Sequence, residues 1–189
     1  MDSLQINPWF ALQVKSRYEN SVAAHLAGKG YEWFLPLYES RRRWSDRNKK
    51  IEQPLFPGYV FCRFNPLFRL PILITPGVIG IVGVGKMPVP IEDSEIASIQ
   101  TIVKSGLPNQ PWPFLQVGER VRIESGPLEG LEGILLGSKG NHRVVVSVML
   151  LQRSVAAEID RGSVSRVRQP HYTRRERIAG MPVPGHAVA

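Results

Sequence analysis

The chain has 189 residues, 43% of them apolar and 21% charged, with a formal net charge of +8. An apolar fraction of this size supports packed cores and excludes a disordered chain, and no apolar run is long enough to span a membrane. The first residues lack the basic and apolar blocks of a secretory signal, and the single cysteine excludes an internal disulfide and a multi-cysteine metal site. We therefore expect a cytoplasmic protein without cofactor, metal or membrane contact.

Positive charge is clustered along the chain rather than spread evenly. Residues 1–105 contain 13 basic and 9 acidic side chains, and residues 106–168 contain 8 and 6, so each region is only mildly basic. Two short clusters, at 41–50 and 166–177, hold the local excess. This distribution favours a protein that touches a polyanion at particular places over a uniformly basic nucleic-acid-binding protein.

The first predicted elements are a strand and a helix. Apolar alternation predicts a strand over Trp9–Lys15. Ser16 stands three residues before Glu19, the spacing of a capping box, which predicts that a helix begins there with Val22 and Leu26 on its apolar face.

More strands and a second long helix are predicted before residue 105. The strands cover 33–39, 59–64 and 77–84, and the basic stretch 41–50 is predicted as a loop. The helix is capped by Asp93 or Ser94 and ends near Lys104. This order of elements predicts an α+β fold, in which helices pack on a small antiparallel sheet.

Composition changes after residue 105. Residues 105–113 contain three prolines, which predicts a semi-rigid linker. Five short β-type runs separated by glycine turns then predict a small β-barrel, with strands over 117–123, 133–136, 143–150, 155–159 and 164–167. The last residues have no periodicity. The predicted organisation is therefore an N-terminal domain at 1–105, a linker at 106–114, a barrel at 115–168 and a disordered basic tail at 169–189.

No set of residues in the sequence predicts catalysis. Cys62 lies in the middle of a predicted strand, on the face that alternates inward, and is interpreted as a small core residue. The four histidines are scattered and none pairs with a second ligand at metal spacing. We therefore expect no enzyme activity.

The strongest local signal is the block from Leu55 to Phe61. Pro57 followed by Gly58 is the pair that a type II turn requires, because proline fixes φ and glycine supplies a positive φ. Phe56 and Tyr59 then stand at the corners of a stiff turn. Two interpretations stay open: the aromatic side chains fold back into the core, or they form a rigid platform for a partner.

Two further clusters also allow a structural or a functional interpretation. Three consecutive arginines with a nearby aromatic are typical of phosphate contact with base stacking, but a solvated hairpin tip explains them equally well. The apolar run near residue 150 is core in part, and any side chain left on the barrel surface would form a protein-docking edge.

Several of these blocks resemble a known family. The N-terminal NGN domain of the NusG family contains blocks similar to Trp9-Phe10-Ala11-Leu12, Phe56-Pro57-Gly58-Tyr59-Val60-Phe61, Pro76-Gly77-Val78 and Pro88-Val89-Pro90-Ile91. Its KOW domain is similar to Val117-Gly118-Glu119-Arg120-Val121 and to Gly126-Pro127-Leu128-Glu129-Gly130-Leu131-Glu132-Gly133. The resemblance covers about residues 8–168. Within the family, the sequence is most similar to specialised NusG paralogs of the RfaH, LoaP and UpxY kind. It implies an NGN-type sandwich followed by a five-stranded SH3-like KOW barrel.

The resemblance also implies a function. Proteins of this family are transcription elongation and antitermination factors whose N-terminal domain binds the clamp helices of RNA polymerase, bridges the cleft and suppresses pausing. The implied polymerase-binding residues are Trp9, Phe10, Phe56, Pro57, Gly58 and Tyr59. The hairpin that lies near upstream or non-template DNA would contain Arg41, Arg42, Arg43, Trp44, Lys49 and Lys50.

The KOW domain in that family recruits further partners, among them the termination factor Rho, a ribosomal small-subunit protein or an RNA hairpin. The implied partner-binding residues are Met149, Leu150, Leu151 and Arg153. We expect a monomer. The alternative prediction is an RNA-binding KOW protein that acts in ribosome assembly or on a leader RNA hairpin.

Overall fold

The computed structural model describes residues 7–44, 47–113, 118–138 and 141–167. The elements of the first half are β1 (Trp9–Val14), α1 (Glu19–Gly28), β2 (Glu32–Phe34), β3 (Leu37–Trp44), β4 (Arg47–Pro54), β5 (Tyr59–Arg63), α2 (Leu70–Leu73), β6 (Val78–Ile81), β7 (Gly83–Val84), β8 (Met87–Pro88) and α3 (Asp93–Lys104). A 3-10 turn at Pro66–Phe68 precedes α2, and Asn65 caps it by accepting the Leu67 N–H.

Four antiparallel strands in the order β2-β5-β1-β6 form the first sheet. Alternate residues of β1 and β5 enter two different cores. Phe10 and Val60 pack with α1 through Val22 and Leu26, whereas Ala11 and Phe61 belong to the cluster that contains the buried isoleucines of α3. The sheet therefore has helices on both faces, and the predicted α+β fold class is confirmed.

The junction between β1 and α1 differs from the predicted capping box. Tyr18 is the N-cap of α1 and no side chain caps the helix. Arg17 adopts a φ of 68°, which turns the chain sharply between the strand and the helix. The capping box is wrong because the Glu19 carboxylate accepts a hydrogen bond from a distant backbone amide, that of Gly58.

The described residues of the basic stretch, 41–44 and 47–50, form strands rather than the predicted loop, and the predicted strand over 33–39 is divided. β2 and β3 are separate because Pro36 lies between them and has no N–H for a sheet ladder. β3 and β4 then form a two-stranded hairpin with eight cross-strand pairs, from Leu37↔Pro54 to Trp44↔Arg47. Backbone pairing along both arms satisfies polar groups that a loop would leave to water.

The second sheet contains six strands rather than the predicted five. They are β9 (Asn109–Pro113), β10 (Glu119–Ile123), β11 (Glu132–Ser138), β12 (Asn141–Val148), β13 (Arg153–Ile159) and β14 (Val164–Arg166), in the order β14-β10-β11-β12-β13-β9. A 3-10 turn at Arg161–Ser163 connects the last two. The five strands β10–β14 correspond to those predicted from the sequence.

The extra strand comes from the segment predicted as a linker. β9 pairs with β13 from Asn109↔Ala157 to Pro113↔Arg153. Residues 109–113 of the predicted linker therefore cover the open edge of β13, where their prolines are tolerated because they form the sheet edge. The division of the chain into two domains with a linker stays a prediction. The predicted tail at 169–189 lies outside the described residues.

We predict that Gly133→Ala destabilises the second sheet. A Cβ at residue 133 would lie 2.6 Å from Val144 Cγ2 and 2.7 Å from the Val145 carbonyl oxygen. Backbone and a packed side chain would have to move, so the free energy of unfolding should fall by about 1–3 kcal/mol in urea denaturation. Gly28→Ala is the matched control, because nothing lies within 4 Å of its Cβ position. Equal stability of the two variants would contradict the packing described here.

Candidate binding surfaces

The turn at residues 56–59, here called the 56–59 turn, is fixed by its own backbone. The Tyr59 N–H donates to the Phe56 carbonyl at 3.1 Å, and Gly58 has a φ of 84°. These features confirm the predicted type II turn. Two outside contacts hold Gly58: its carbonyl accepts the Val14 N–H at 2.9 Å, and its N–H donates to Glu19 Oε1 at 2.9 Å.

Three aromatic residues that the sequence assigns to this surface are buried. Phe56 is 1% exposed, Trp9 3% and Phe10 1%. Phe56 packs edge-on against Phe61, with ring centroids 5.4 Å apart. The expectation of an exposed platform is wrong for Phe56, because the core beside β5 takes its ring. Pro57 is exposed, and Gly58 and Tyr59 are partly exposed.

The 56–59 turn contacts the predicted partner-binding residues of the second sheet. The Arg153 guanidinium lies 5.6 Å from the centre of the Tyr59 ring, within reach of a cation–π interaction. Nearby, the Met149 N–H donates to Glu95 Oε1 of α3 at 3.2 Å. Leu150 and Leu151 are partly buried against the apolar cluster that contains Phe61 and the buried isoleucines of α3. Residues predicted to bind two different partners therefore meet at one interface.

Glu95 is a carboxyl group of this interface whose pKa is shifted by its surroundings. Burial raises the pKa of its carboxyl group above the ordinary value for glutamate, and the nearby charge of Glu92 raises it further. The hydrogen bond from the Met149 N–H acts in the opposite direction. The net direction is upward, so placing the ionised carboxylate at this interface carries a cost.

The basic residues of the β3–β4 hairpin lie opposite one another. Arg41 pairs with Lys50, and Arg42 pairs with Lys49. Like charges in directly opposed positions destabilise a two-stranded ribbon unless counter-charges are supplied. At the base of the hairpin, Tyr38 Oη donates to Gln53 Oε1 at 3.1 Å. The backbone register thus places four of the predicted nucleic-acid-contact residues at paired positions of the two arms, here called the basic ribbon.

One surface was not predicted from the sequence. Of the eleven exposed large apolar side chains in the described chain, eight lie between residues 67 and 87. We name this set the α2 apolar surface: Leu67, Phe68, Leu70, Leu73, Ile74, Ile79, Val84 and Met87. The Arg69 guanidinium donates to the Lys86 carbonyl and joins α2 to the β7–β8 turn. Residues 64–91 contain no acidic residue, and Arg69 and Lys86 are the basic ones. This low content of charged residues is the sequence signal that could have revealed the surface.

The described ranges contain no cluster of three or more histidine, cysteine or acidic side chains that could hold a metal ion. Burial, with a smaller contribution from Glu32, raises the pKa of the Cys62 thiol to about 12, so this cysteine stays protonated in its core position. None of the helices in these ranges has the length and apolarity that a membrane span requires.

Comparison with known proteins identifies the family. A family model described as "Transcription termination factor nusG" matches residues 7–100, which include both faces of the first sheet, the 56–59 turn and the basic hairpin. The NusG protein of Buchnera aphidicola is 29% identical over 172 residues, covering 84% of this chain and 95% of that protein. The chain belongs to the NusG family. Its relatives carry the name transcription termination/antitermination protein, and the NusG family consists of transcription factors rather than enzymes.

The likeness to NusG extends beyond the first sheet. The NusG protein of Borreliella burgdorferi is 25% identical over 177 residues, covering 80% of this chain and 94% of that protein. A solved structure described as "Domain interaction in Thermotoga maritima NusG" superposes with a TM-score of 0.53 at 24% identity, covering 86% of this chain and 98% of that chain. The second sheet therefore belongs to the NusG-like fold as well.

We predict that Glu95→Gln removes a pH dependence of stability. The folded state holds the Glu95 proton to higher pH than the unfolded state does, so wild-type stability should fall as the pH rises from the ordinary glutamate pKa through the raised one. A glutamine keeps an oxygen that can accept the Met149 N–H but has no charge to desolvate. Thermal unfolding across this pH range should show the fall in wild type and its loss in the variant. The same pH profile for both proteins would contradict the assignment.

Proposed function

We propose that this NusG-family chain is a transcription elongation and antitermination factor that binds the clamp helices of RNA polymerase through the 56–59 turn. The observation that supports this role is the rigid backbone of the turn, with Tyr59 partly exposed beside Pro57. A contact that is already ordered loses little conformational entropy on binding. Tyr59 also offers an aromatic ring with a polar end, a combination that is frequent at binding hot spots.

The buried aromatic residues have a supporting role in this proposal. Phe56, packed against Phe61, fixes the first corner of the turn from below. Trp9 is covered by the Arg63 guanidinium, 4.9 Å from the centre of its ring. Replacing Phe56 by alanine would cost about 3–5 kcal/mol of stability, so a loss of binding in that variant would have two explanations. Tyr59 is the cleaner probe.

The α2 apolar surface gives the proposal a second contact. A factor that bridges the polymerase cleft needs two binding surfaces at separate places on its N-terminal domain. The α2 apolar surface is exposed, contains no acid and is flanked by Arg69 and Lys86. It fits a partner segment whose apolar side chains are accompanied by carboxylates.

The basic hairpin is the proposed contact with upstream or non-template DNA. Its opposed cationic pairs would be relieved by phosphate groups, whose counterions are released on binding. Trp44 pairs with Arg47 at the end of the hairpin. An aromatic residue at this position fits stacking on an unpaired base.

The KOW surface around Met149 and Arg153 is the proposed site for recruiting Rho, a ribosomal small-subunit protein or an RNA hairpin. Because the Arg153 guanidinium lies 5.6 Å from the centre of the Tyr59 ring, a partner that binds Tyr59 would compete with Arg153 for that ring. Polymerase binding would then release the KOW surface. The chain connection between α3 and β9 would keep it close to the transcription complex and so raise its effective concentration.

Antitermination in this account is a matter of differential affinity. A factor that binds the active polymerase a few-fold more tightly than the paused enzyme shifts the equilibrium by about 1 kcal/mol. No chemical step is required of the factor itself.

We predict that Tyr59→Ala weakens binding to core RNA polymerase by about tenfold or more, since it removes an anchor at the centre of the contact. Trp33→Ala is the matched control, because Trp33 is an exposed aromatic residue on the edge strand β2. Its affinity should stay within about twofold of wild type. Fluorescence anisotropy with labelled protein would give each Kd.

The pattern of results discriminates between the interpretations. If Tyr59→Ala and Trp33→Ala lose affinity for the polymerase equally, or if both bind like wild type, the contact does not lie at the 56–59 turn. Absence of polymerase binding by wild type would instead favour the RNA-binding alternative.

We also predict that Arg41→Ser combined with Arg42→Ser lowers the salt dependence of binding to a partly melted DNA duplex. The slope of log K against log salt should fall by roughly one for each phosphate group that the variant no longer neutralises. Arg122→Ser serves as the control, because this arginine is exposed on β10 of the other sheet. An unchanged slope in the hairpin variant would exclude the basic ribbon as the DNA contact.

A further inference from the structure

The 56–59 turn has a backbone group that a turn cannot satisfy by itself. In a type II turn the internal hydrogen bond uses the N–H of the fourth residue, here Tyr59, and the carbonyl of the first, here Phe56. The Gly58 N–H takes no part in that bond and requires another acceptor. Glu19 Oε1 is that acceptor, at 2.9 Å.

Glu19 is an unusual residue to find in this place. Among the charged residues whose burial the structure describes, it alone is classed as buried, at 7% exposed. A buried carboxylate is costly unless it is hydrogen-bonded. As the first residue of α1, it also lies where the helix dipole favours negative charge.

The backbone before α1 is shaped to bring this carboxylate to the turn. The Tyr18 N–H donates to the Lys15 carbonyl at 3.0 Å, and Arg17 adopts its φ of 68° between them. A positive φ is uncommon for a residue other than glycine and carries strain. This tight reversal lies directly before α1, whose first residue, Glu19, contacts Gly58.

The bond from Gly58 to Glu19 selects one form of the turn. Type I and type II turns differ by a flip of the central peptide, here the bond between Pro57 and Gly58. In the flipped form the Gly58 N–H points away from Glu19, so the carboxylate holds the peptide in the type II orientation. The direction of the Pro57 carbonyl and the backbone conformation of Gly58 depend on that orientation.

We infer that Glu19 is a positioning residue for polymerase binding, which fixes the peptide between Pro57 and Gly58 and so keeps the turn that carries Pro57 and Tyr59 in one backbone conformation. This inference rests on the proposed function of the 56–59 turn. It adds a residue on a different element, 37 or more positions away in sequence from the turn residues that it orients.

The test compares Glu19→Ala with Glu19→Gln in the full-length chain. Glu19→Ala removes the acceptor and should weaken binding to core RNA polymerase by about tenfold, whereas the amide oxygen of Glu19→Gln should keep affinity within about threefold of wild type. Asp93→Ala is the matched control, because Asp93 is likewise the first residue of a helix and bonds Arg63 at 3.0 Å, away from the turn. It should bind like wild type.

A second readout does not depend on polymerase. Hydrogen exchange of the Gly58 N–H, followed by NMR, should be slow in wild type and Glu19→Gln and fast in Glu19→Ala. Should Glu19→Ala fail to fold, Glu19→Met removes the acceptor while filling the same space.

Each outcome decides a separate point. Wild-type affinity in a folded Glu19→Ala protein, or equal losses in Glu19→Ala and Glu19→Gln, would overturn the inference, and so would unchanged protection of the Gly58 N–H. A wild-type chain that does not bind polymerase, with Gly58 exchange changing as described, would overturn the proposed function and leave Glu19 as a structural anchor of the turn.

Discussion

Burial of β1 and β5 on both faces is the constraint on which the other features depend. Because α1 covers one face of the first sheet and α3 covers the other, aromatic side chains on these strands are drawn into two cores. Binding surfaces can then form only where the chain leaves the sheet. The 56–59 turn at the start of β5, the β3–β4 hairpin and the α2 apolar surface are all such places. The packed strands fix where these segments lie, and the exposed side chains described at the 56–59 turn and the α2 apolar surface point away from the two cores.

The contact between the first and second sheets couples two of these surfaces. Arg153 lies on Tyr59, and the Met149 N–H is bound by Glu95. Each of these two contacts is modest in strength, since a cation–π pair at a partly exposed site contributes about 0.5–1 kcal/mol. An interface of this strength can be displaced by a partner that binds either side more tightly. A partner that takes Tyr59 would therefore compete with Arg153 for the same ring.

The sequence predicted most of the fold because the strongest signals were local. Pro57 and Gly58 determined the type II turn, and the apolar pattern over residues 59–64 predicted the strand that the structure shows as β5. The errors arose where distant residues decide the outcome. Glu19 satisfied the spacing of a capping box, but its carboxylate binds Gly58, a contact that exists only after the sheet has formed. The proline-rich segment became β9 because β13 offered it an open edge. Burial of Phe56 and exposure of the α2 apolar surface likewise follow from tertiary packing, which local patterns do not report.

Release of the interface would test the account most directly. The double variant Glu95→Ala/Arg153→Ala removes the hydrogen bond from the Met149 N–H and the cation–π contact on Tyr59, and replaces no residue of the 56–59 turn. If the KOW surface covers the polymerase-binding turn, this variant should bind core RNA polymerase several-fold more tightly than wild type, while thermal unfolding shows that both sheets remain folded. Affinity equal to or weaker than that of the wild type would contradict mutual covering of the two surfaces.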